Sequence, residues 1–242
     1  AVCGRSDQSL TAQKFANKYS VSNIYSDYYS LLRSTDADML WVVTPWDVTE
    51  HLLVDLLHDG RPCLIEKPLC TNSLKATEVL ALAQKLERCN LFIGMNRRWY
   101  DFMPILQQTL AFNENIRAVN ICLSEQQRVD GLSESEAIRR AKNLWINSAI
   151  HEFDLLLFLL GPIEIVRVYR QYDRHTEQLI SVNALLASKQ FGYPIFLQAN
   201  WDSAEPKSFL IELTDRTLKL SPIECLTSAQ GLKRLSPSAE YP

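Results

Sequence analysis

The first part of the chain alternates between short apolar runs and longer segments with helical periodicity. Apolar runs typical of parallel strands buried on both faces lie at residues 1–3, 39–43, 63–65 and 91–93. Leucines or other apolar residues recur at helical spacing between these runs, at residues 9–19, 48–59 and 73–87. In the last of these helices we expect Leu74, Leu80, Ala83 and Leu86 to face the core. The alternation predicts an α/β, Rossmann-like domain with a parallel sheet.

The second part of the chain has a different pattern. A short helix is predicted at residues 104–110, and a strongly apolar helix at 147–160 is stopped by Gly161 and Pro162. Strand-like runs joined by turn-rich connections lie at residues 116–124, 163–171, 179–187, 194–200 and 209–213. These features predict an α+β domain with an open, largely antiparallel sheet. We therefore place a dinucleotide-binding domain at 1–98 and a substrate and oligomerisation domain at 99–242.

Composition excludes several classes of protein. Lys and Arg number 25 against 28 Asp and Glu, a net charge of −3 that argues against nucleic-acid binding. No apolar run approaches the roughly 20 residues of a membrane span, and the first residues lack the pattern of a secretory signal. The six cysteines form no C-x-x-C pair and lack zinc-finger spacing with histidine, so we predict no metal site. Buried, reduced thiols in a cytoplasmic protein are the expectation.

The segment around Lys67 carries the first candidate chemistry. The apolar run 63–65 is followed by Glu66, Lys67 and Pro68. In open parallel sheets, ligands bind at the carboxyl ends of the strands, where Lys67 is predicted to lie. Pro68 restricts the backbone of Lys67 to an extended conformation and allows a cis bond, and both fix the direction of the amine. A solvated loop lysine is the alternative interpretation.

A second polar cluster lies at the start of the apolar helix. Asn147, His151 and Asp154 stand at positions i, i+4 and i+7 and would share one helical face. One interpretation is a capped helix start with a partly buried histidine. The other is a histidine general base that its neighbours orient.

Taken in order, several segments resemble the glucose–fructose oxidoreductase / inositol dehydrogenase family of NAD(P)-dependent oxidoreductases. The segments that carry the resemblance are Thr44-Pro45, Glu66-Lys67-Pro68, Asn96-Arg97-Arg98-Trp99, Asn147-x-x-x-His151-x-x-Asp154 and Asn200-Trp201. Each motif alone is weak, whereas the ordered set spans nearly the whole chain. The resemblance implies an enzyme that acts on CH–OH groups of a sugar, sugar nucleotide or cyclic polyol.

The resemblance also implies roles for individual residues. His151 would take the proton from a substrate hydroxyl as hydride leaves its carbon, and Lys67 would hydrogen-bond the same oxygen. Glu66 would support Lys67. The nicotinamide would lie near Lys67 and the strand end that carries Thr44, Pro45 and Trp46. The remaining candidates would contact the substrate: Arg97, Arg98, Asn147 and Asp154.

The start of the chain departs from the family pattern. A Rossmann unit holds the pyrophosphate with a Gly-x-Gly-x-x-Gly loop, and no glycines here have that spacing. The resemblance makes residues 1–3 the second strand of the fold, so the first strand, the glycine loop and the first helix are missing. A sheet with a gap at its centre leaves unpaired strand edges. We therefore expect either a fragment or a divergent protein that has lost the cofactor cradle, and the C-terminus also stops early relative to the family.

Residues 4–6 favour one of the two nicotinamide cofactors. An acidic residue at the end of the second strand would bind the ribose 2′-hydroxyl of NAD. Here Gly4 is followed by Arg5 and Ser6, which suit a 2′-phosphate and favour NADP over NAD. Asp7 weakens this preference, because a shift of one residue would restore an acid. Ser6 or Asp7 could also simply cap the next helix.

Two further departures leave the activity open. Trp46 and Thr49 stand where the family often has Asn and His after Thr-Pro, and Trp46 suits either cofactor stacking or a hydrophobic staple. Asn147 replaces the more common Asp, which tilts the substrate towards sugar nucleotides.

Two other functions remain alternatives to a dehydrogenase. They are a non-catalytic regulator or scaffold and a dehydratase or hydrolase that uses transient oxidation. The exposed face of the second-domain sheet is the expected oligomer surface. Its apolar residues at 196–197 and 209–211 predict a homodimer or homotetramer.

Overall fold

The structure is a computed structural model that divides into two compact units. It describes residues 1–6, 8–111, 113–124, 146, 148–175, 177–201 and 203–228. The first unit is Ala1–Gly94 and the second is Met95–Pro242. The sequence placed the boundary after residue 98, but the 3-10 helix Asn96–Trp99 falls within the second unit.

The first unit has the predicted α/β alternation. Its strands are β1 (Val2–Cys3), β2 (Ile24–Tyr25), β3 (Leu40–Val42), β4 (Cys63–Ile65) and β5 (Leu91–Ile93). Its helices are α1 (Leu10–Tyr19), α2 (Tyr28–Ser34), α3 (Trp46–Asp59) and α4 (Ser73–Lys85). Asn72 caps α4 as predicted, because its side chain accepts from the backbone N–H groups of Leu74 and Lys75.

All strand pairs of this unit are parallel, as the sequence predicts. Among the described residues they form two separate sheets, β1–β2 and β3–β4–β5. In the second sheet β4 is central, and Ile65 pairs with Val42 on one side and with Ile93 on the other. The carboxyl end of β4 therefore lies between the ends of two neighbouring strands.

Helices α3 and α4 cover the three-stranded sheet unequally. The four leucines predicted on one face of α3 are all buried: Leu52, Leu53, Leu56 and Leu57. In α4 the prediction for Leu74 and Leu80 is wrong, since they are 72% and 59% exposed. The packed face instead starts at Val79 and continues through Leu82, Ala83 and Leu86, at spacings of three, four and seven residues. Leu74 and Leu80 fall outside that stripe.

The second unit is built on one seven-stranded sheet. Its strands are β6 (Ile116–Cys122), β7 (Ile163–Tyr172), β8 (Leu179–Ser188), β9 (Pro194–Asn200), β10 (Ser208–Leu213), β11 (Thr217–Leu220) and β12 (Leu226–Ser228). The order is β12-β11-β10-β6-β9-β8-β7, and only the β6–β9 pair is parallel. This confirms the largely antiparallel sheet, although β11 and β12 were not predicted.

One face of this sheet forms the core of the second unit. Helices α5 (Met103–Thr109) and α6 (Ile150–Leu160) contribute buried leucines and methionine to the same cluster. Strand β9 shows the alternation clearly, since Ile195 is buried and Phe196 is 48% exposed. The opposite face of the sheet therefore presents apolar side chains to solvent.

The cysteine prediction holds only in part. Among the described residues all six thiols are free, but Cys89 is exposed while Cys63 and Cys225 are buried. Burial raises the pKa of the Cys63 thiol to about 11, so this group stays protonated at neutral pH. None of the helices in the described part of the chain is long and apolar enough to cross a membrane.

Candidate active site

The loop after β3 is held by a buried threonine. Thr44 and Pro45 follow β3, and Pro45 is the N-cap residue of α3. Thr49 is fully buried, and its Oγ1 lies 2.8 Å from the hydroxyl of Thr44 and 3.2 Å from the carbonyl oxygens of Thr44 and Pro45. Thr49 thus fixes the loop that carries Thr44, Pro45 and Trp46.

Lys67 lies at the carboxyl end of the central strand β4, as predicted. The Glu66 N–H donates to the Val42 carbonyl at 2.9 Å, and the Gly94 N–H donates to the Ile65 carbonyl at 2.8 Å. Both neighbouring strands therefore fix the backbone up to Glu66. The Lys67–Pro68 peptide is cis, and Pro68 is buried. Lys67 is half-buried and Glu66 is exposed.

A carboxylate on α3 holds the far side of the Lys67 loop. The N–H and the hydroxyl of Thr71 both donate to Oε1 of Glu50, the hydroxyl at 2.7 Å. Burial and, second, the negative charge of Glu50 raise the pKa of the Cys70 thiol. Cys70 is therefore protonated at neutral pH and is a poor nucleophile, although it lies three residues after Lys67.

We expect the bond between Thr71 and Glu50 to contribute measurably to stability. Thr71→Val removes the hydroxyl donor and should lower the free energy of unfolding by about 1 kcal/mol. Urea denaturation measures this difference. The matched control is Thr77→Val, whose hydroxyl donates, among the described residues, to the Ser73 carbonyl of its own exposed helix turn. Equal losses in the two variants would show that the Glu50 contact adds nothing.

Residues 4–6 form the loop between β1 and α1. Ser9 is the N-cap of α1, since its side chain accepts from the Ala12 N–H, so the interpretation of Ser6 as the cap is wrong. The side chains of Arg5 and Ser6 are exposed, and Asp7 lies outside the described residues. A Cβ added at Gly4 would come within 2.6 Å of the Ser9 Cβ. The close approach of this loop to α1 therefore requires glycine at position 4.

In the second unit, His151 and Asp154 lie on α6. His151 is in the first turn of the helix, and its ring Nδ1 atom is buried. Asp154 forms a bidentate ion pair with Arg98, whose Nε lies 2.7 Å from Asp154 Oδ2 and whose second bond runs from the terminal nitrogen to Oδ1. These bonds to Asp154 raise the pKa of Arg98. Asn147, which was predicted on the same helical face, lies outside the described residues.

A buried charge cluster lies next to His151. The Glu152 side chain is fully buried and forms an ion pair with Arg97, while Lys207 Nζ lies 3.4 Å from the same Glu152 oxygen. The Lys207 ammonium also donates to the Ser148 carbonyl at 2.9 Å. A more exposed carboxylate, Glu224, lies 3.9 Å from Arg97. The carboxylate of Glu152 thus shares its charge between two cations from distant parts of the chain.

The two predicted substrate arginines are therefore both held by carboxylates of α6. Arg97 is 13% exposed and Arg98 is 40% exposed, so Arg98 is the more accessible of the two. Sequence reasoning missed Glu152 and Lys207. A glutamate within an otherwise apolar helix was a usable signal for the first, whereas nothing in the local sequence marks Lys207.

Comparisons with known proteins agree with the fold of the first unit. Residues 2–95 match the model of the GFO_IDH_MocA oxidoreductase family, which has an NAD-binding Rossmann fold. Inositol 2-dehydrogenase of Leifsonia xyli subsp. xyli is 28% identical over 182 residues, or 74% of this chain and 52% of that protein. Trans-1,2-dihydrobenzene-1,2-diol dehydrogenase of Xenopus tropicalis is 29% identical over 100 residues, 41% and 29% of the two chains. The chain spans about half or less of the length of these curated relatives.

Solved structures resemble both units. An NAD-binding oxidoreductase from Klebsiella pneumoniae matches with a TM-score of 0.80 at 18% identity, covering 97% of this chain and 70% of that one. WlbA dehydrogenase from Bordetella pertussis, solved in complex with NADH and UDP-GlcNAcA, matches with a TM-score of 0.72 at 19% identity, covering 90% and 68%. At these identities the likeness concerns the fold.

Proposed function

We propose that this chain, whose residues 2–95 match the GFO_IDH_MocA family of NAD-binding oxidoreductases, moves a hydride between a nicotinamide cofactor and a hydroxyl-bearing carbon of a sugar, sugar nucleotide or cyclic polyol. The observation that carries the proposal is the position of Lys67. Its half-buried side chain stands at the carboxyl end of the central strand β4, within the residues that match the family model. In parallel sheets this is where ligands bind.

The residues at the strand ends of the first unit fit a nicotinamide dinucleotide. Thr44, Pro45 and Trp46 follow β3 and are half-buried, so they offer a partly enclosed surface. Gly4 permits close backbone packing after β1, and the exposed Arg5 guanidinium suits a 2′-phosphate. On these grounds we propose NADP as the preferred cofactor and NAD as the alternative. When bound, the cofactor supplies the hydride acceptor.

Lys67 is assigned to the substrate oxygen. As hydride leaves the substrate carbon, negative charge develops on that oxygen, and an ammonium donor stabilises it. The backbone before Lys67 is fixed through Val42 and Gly94, and the loop behind it is fixed through Glu50. Such fixation suits a group that must hold one atom in place. Glu66 is assigned a supporting role.

His151 is assigned as the general base. A neutral imidazole accepts the hydroxyl proton while the C–H bond breaks, so that the alcohol becomes a carbonyl. In the reverse direction the imidazolium returns that proton. Asp154 lies about one turn further along α6 and forms a bidentate pair with Arg98. This pair suits contact with substrate hydroxyls. Arg97 and Asn147 are retained as proposed substrate contacts.

The first test is a substrate screen with the wild-type chain. Reduction of NADP⁺ or NAD⁺ would be followed by absorbance with inositols, hexoses and UDP-sugars, with Lys67→Met as the matched control. We expect turnover with at least one polyol or sugar and its loss in the variant. The inositol 2-dehydrogenase relative makes the inositols the first choice. Saturable nucleotide binding without turnover on any substrate would instead support a cofactor-sensing regulator.

The exposed sheet face supports a homo-oligomer. A cavity of about 530 Å³ opens on this face and is lined by Tyr169, Leu185, Phe196 and Leu210. Apolar surface of this kind commonly marks an interface between subunits. We propose that two copies of the chain pack through it, which would give a homodimer or homotetramer.

Light scattering tests this oligomer. The wild type is expected to have the mass of two or more chains, and Phe196→Lys should give a single chain because a charge would be buried in the interface. Phe191→Lys, at the exposed turn after β8, is the control and should leave the mass unchanged. A monomeric wild type would contradict the proposal.

A further inference from the structure

We infer that Lys207 is a positioning residue for His151, a role that rests on the function proposed above. The ammonium of Lys207 donates to the Ser148 carbonyl at 2.9 Å and lies 3.4 Å from Oε1 of Glu152. These two partners flank His151 in the chain, one three residues before it and one directly after it. Lys207 therefore contacts the backbone and the side chain that bracket the proposed base.

Among the described residues, no side chain caps the start of α6. Its N-cap residue is Ala149, which has no side chain able to accept from the free N–H groups of the helix start. The Phe153 N–H bonds to the Ala149 carbonyl, and the carbonyl of the residue before it, Ser148, accepts from the Lys207 ammonium. The side chain of Lys207, from the segment just before β10, thus contacts the point where the helix begins.

Glu152 needs this second cation. Its side chain is fully buried, and its other oxygen, Oε2, is buried with no hydrogen-bond partner among the described residues. Burying a carboxylate is unfavourable unless it is paired and hydrogen-bonded. Arg97 supplies one partner and Lys207 the other, so loss of Lys207 would leave the carboxylate less well compensated. Glu152 would then shift towards other donors and move the adjacent His151.

Lys207 lies next to a strand of the sheet. It directly precedes β10, whose first residue, Ser208, pairs with Cys122 of β6 in the sheet. Its side chain is only 18% exposed. The contacts of Lys207 therefore connect the start of α6 to the sheet. These contacts orient the imidazole of His151.

Steady-state kinetics of Lys207→Met, Lys207→Arg and the control Lys189→Met test this role. Lys207→Met should lower kcat by about 10²-fold, since a displacement of about 1 Å of a reacting group has this effect. Its Kd for the cofactor should not change, because the proposed cofactor residues are in the first unit. Lys207→Arg should recover at least a tenth of the lost activity, since its guanidinium reaches the same acceptors. Lys189 is exposed, and its variant should match the wild type.

The side-chain NMR signals of His151 give a readout that does not need turnover. They are assigned by their loss in His151→Asn, and they should shift in Lys207→Met and return in Lys207→Arg. If Lys207→Met does not fold, Lys207→Gln, which keeps a donor for Ser148, replaces it. Unchanged kcat and unchanged His151 signals would overturn the role of Lys207. A wild type without turnover would contradict the proposed function alone, because the NMR comparison still decides the positioning.

Discussion

Lys67→Met is expected to lower kcat by about 10²–10⁴-fold, the range for a group that assists proton and charge transfer. Methionine keeps the length and the apolar stem of lysine, so the buried Pro68 and the strand end should keep their packing. What is lost is the ammonium that stabilises charge on the substrate oxygen. The KM for the cofactor should change little, since an interaction made only in the transition state affects kcat.

The control for this variant is Lys85→Met. Lys85 is the last residue of α4, before β5 begins, and it is exposed. Circular dichroism and the affinity for nucleotide check that both variants are folded. Full activity of Lys67→Met would remove Lys67 from the chemistry and leave it as an ordinary loop lysine.

His151→Asn is expected to reduce kcat by a similar factor. The asparagine amide can replace one hydrogen bond of the imidazole, but it cannot accept a proton at neutral pH. Hydride transfer would then leave the substrate proton to water. The fall should appear in kcat and in kcat/KM equally, which initial rates at varied substrate concentration measure.

The matched control is His175→Asn. This residue lies at the exposed turn after β7, where its backbone N–H donates to Oδ1 of Asp173. That variant should retain wild-type rates. A His151 variant as active as the His175 variant would show that α6 carries no general base. In that case the histidine has a packing role at the helix start.

The sequence predicted the parts of the fold that depend on local pattern. The apolar runs located β3, β4 and β5, and the leucine spacing located the buried face of α3. The predicted inward face of α4 is partly wrong, because Leu74 and Leu80 fall outside the buried stripe that begins at Val79. Strands β11 and β12 are short, and the pairing of β11 with β10 and of β12 with β11 depends on the tertiary sheet rather than on a local signal.

The candidate site was predictable only where one strand end defines it. The place of Lys67 follows from an apolar run that stops before a charged residue. By contrast, the anchors of the site depend on contacts between residues distant in sequence. Glu50 holds Thr71, and Lys207 holds Ser148 and Glu152, and these pairs form only when separate elements pack together.

The proposed oxidoreductase activity requires that the chain bind a nicotinamide cofactor, and a fluorescence titration of the folded chain with NADPH and then NADH measures this binding. Trp46 opens α3 beside the proposed site, and Trp41 is in β3, so both can report a bound dihydronicotinamide. We expect saturable binding that is tighter for NADPH, because the guanidinium of Arg5 suits the 2′-phosphate. Tighter binding of NADH would reverse the cofactor preference. No saturable binding of either nucleotide to a folded chain would contradict the proposed oxidoreductase activity of this chain.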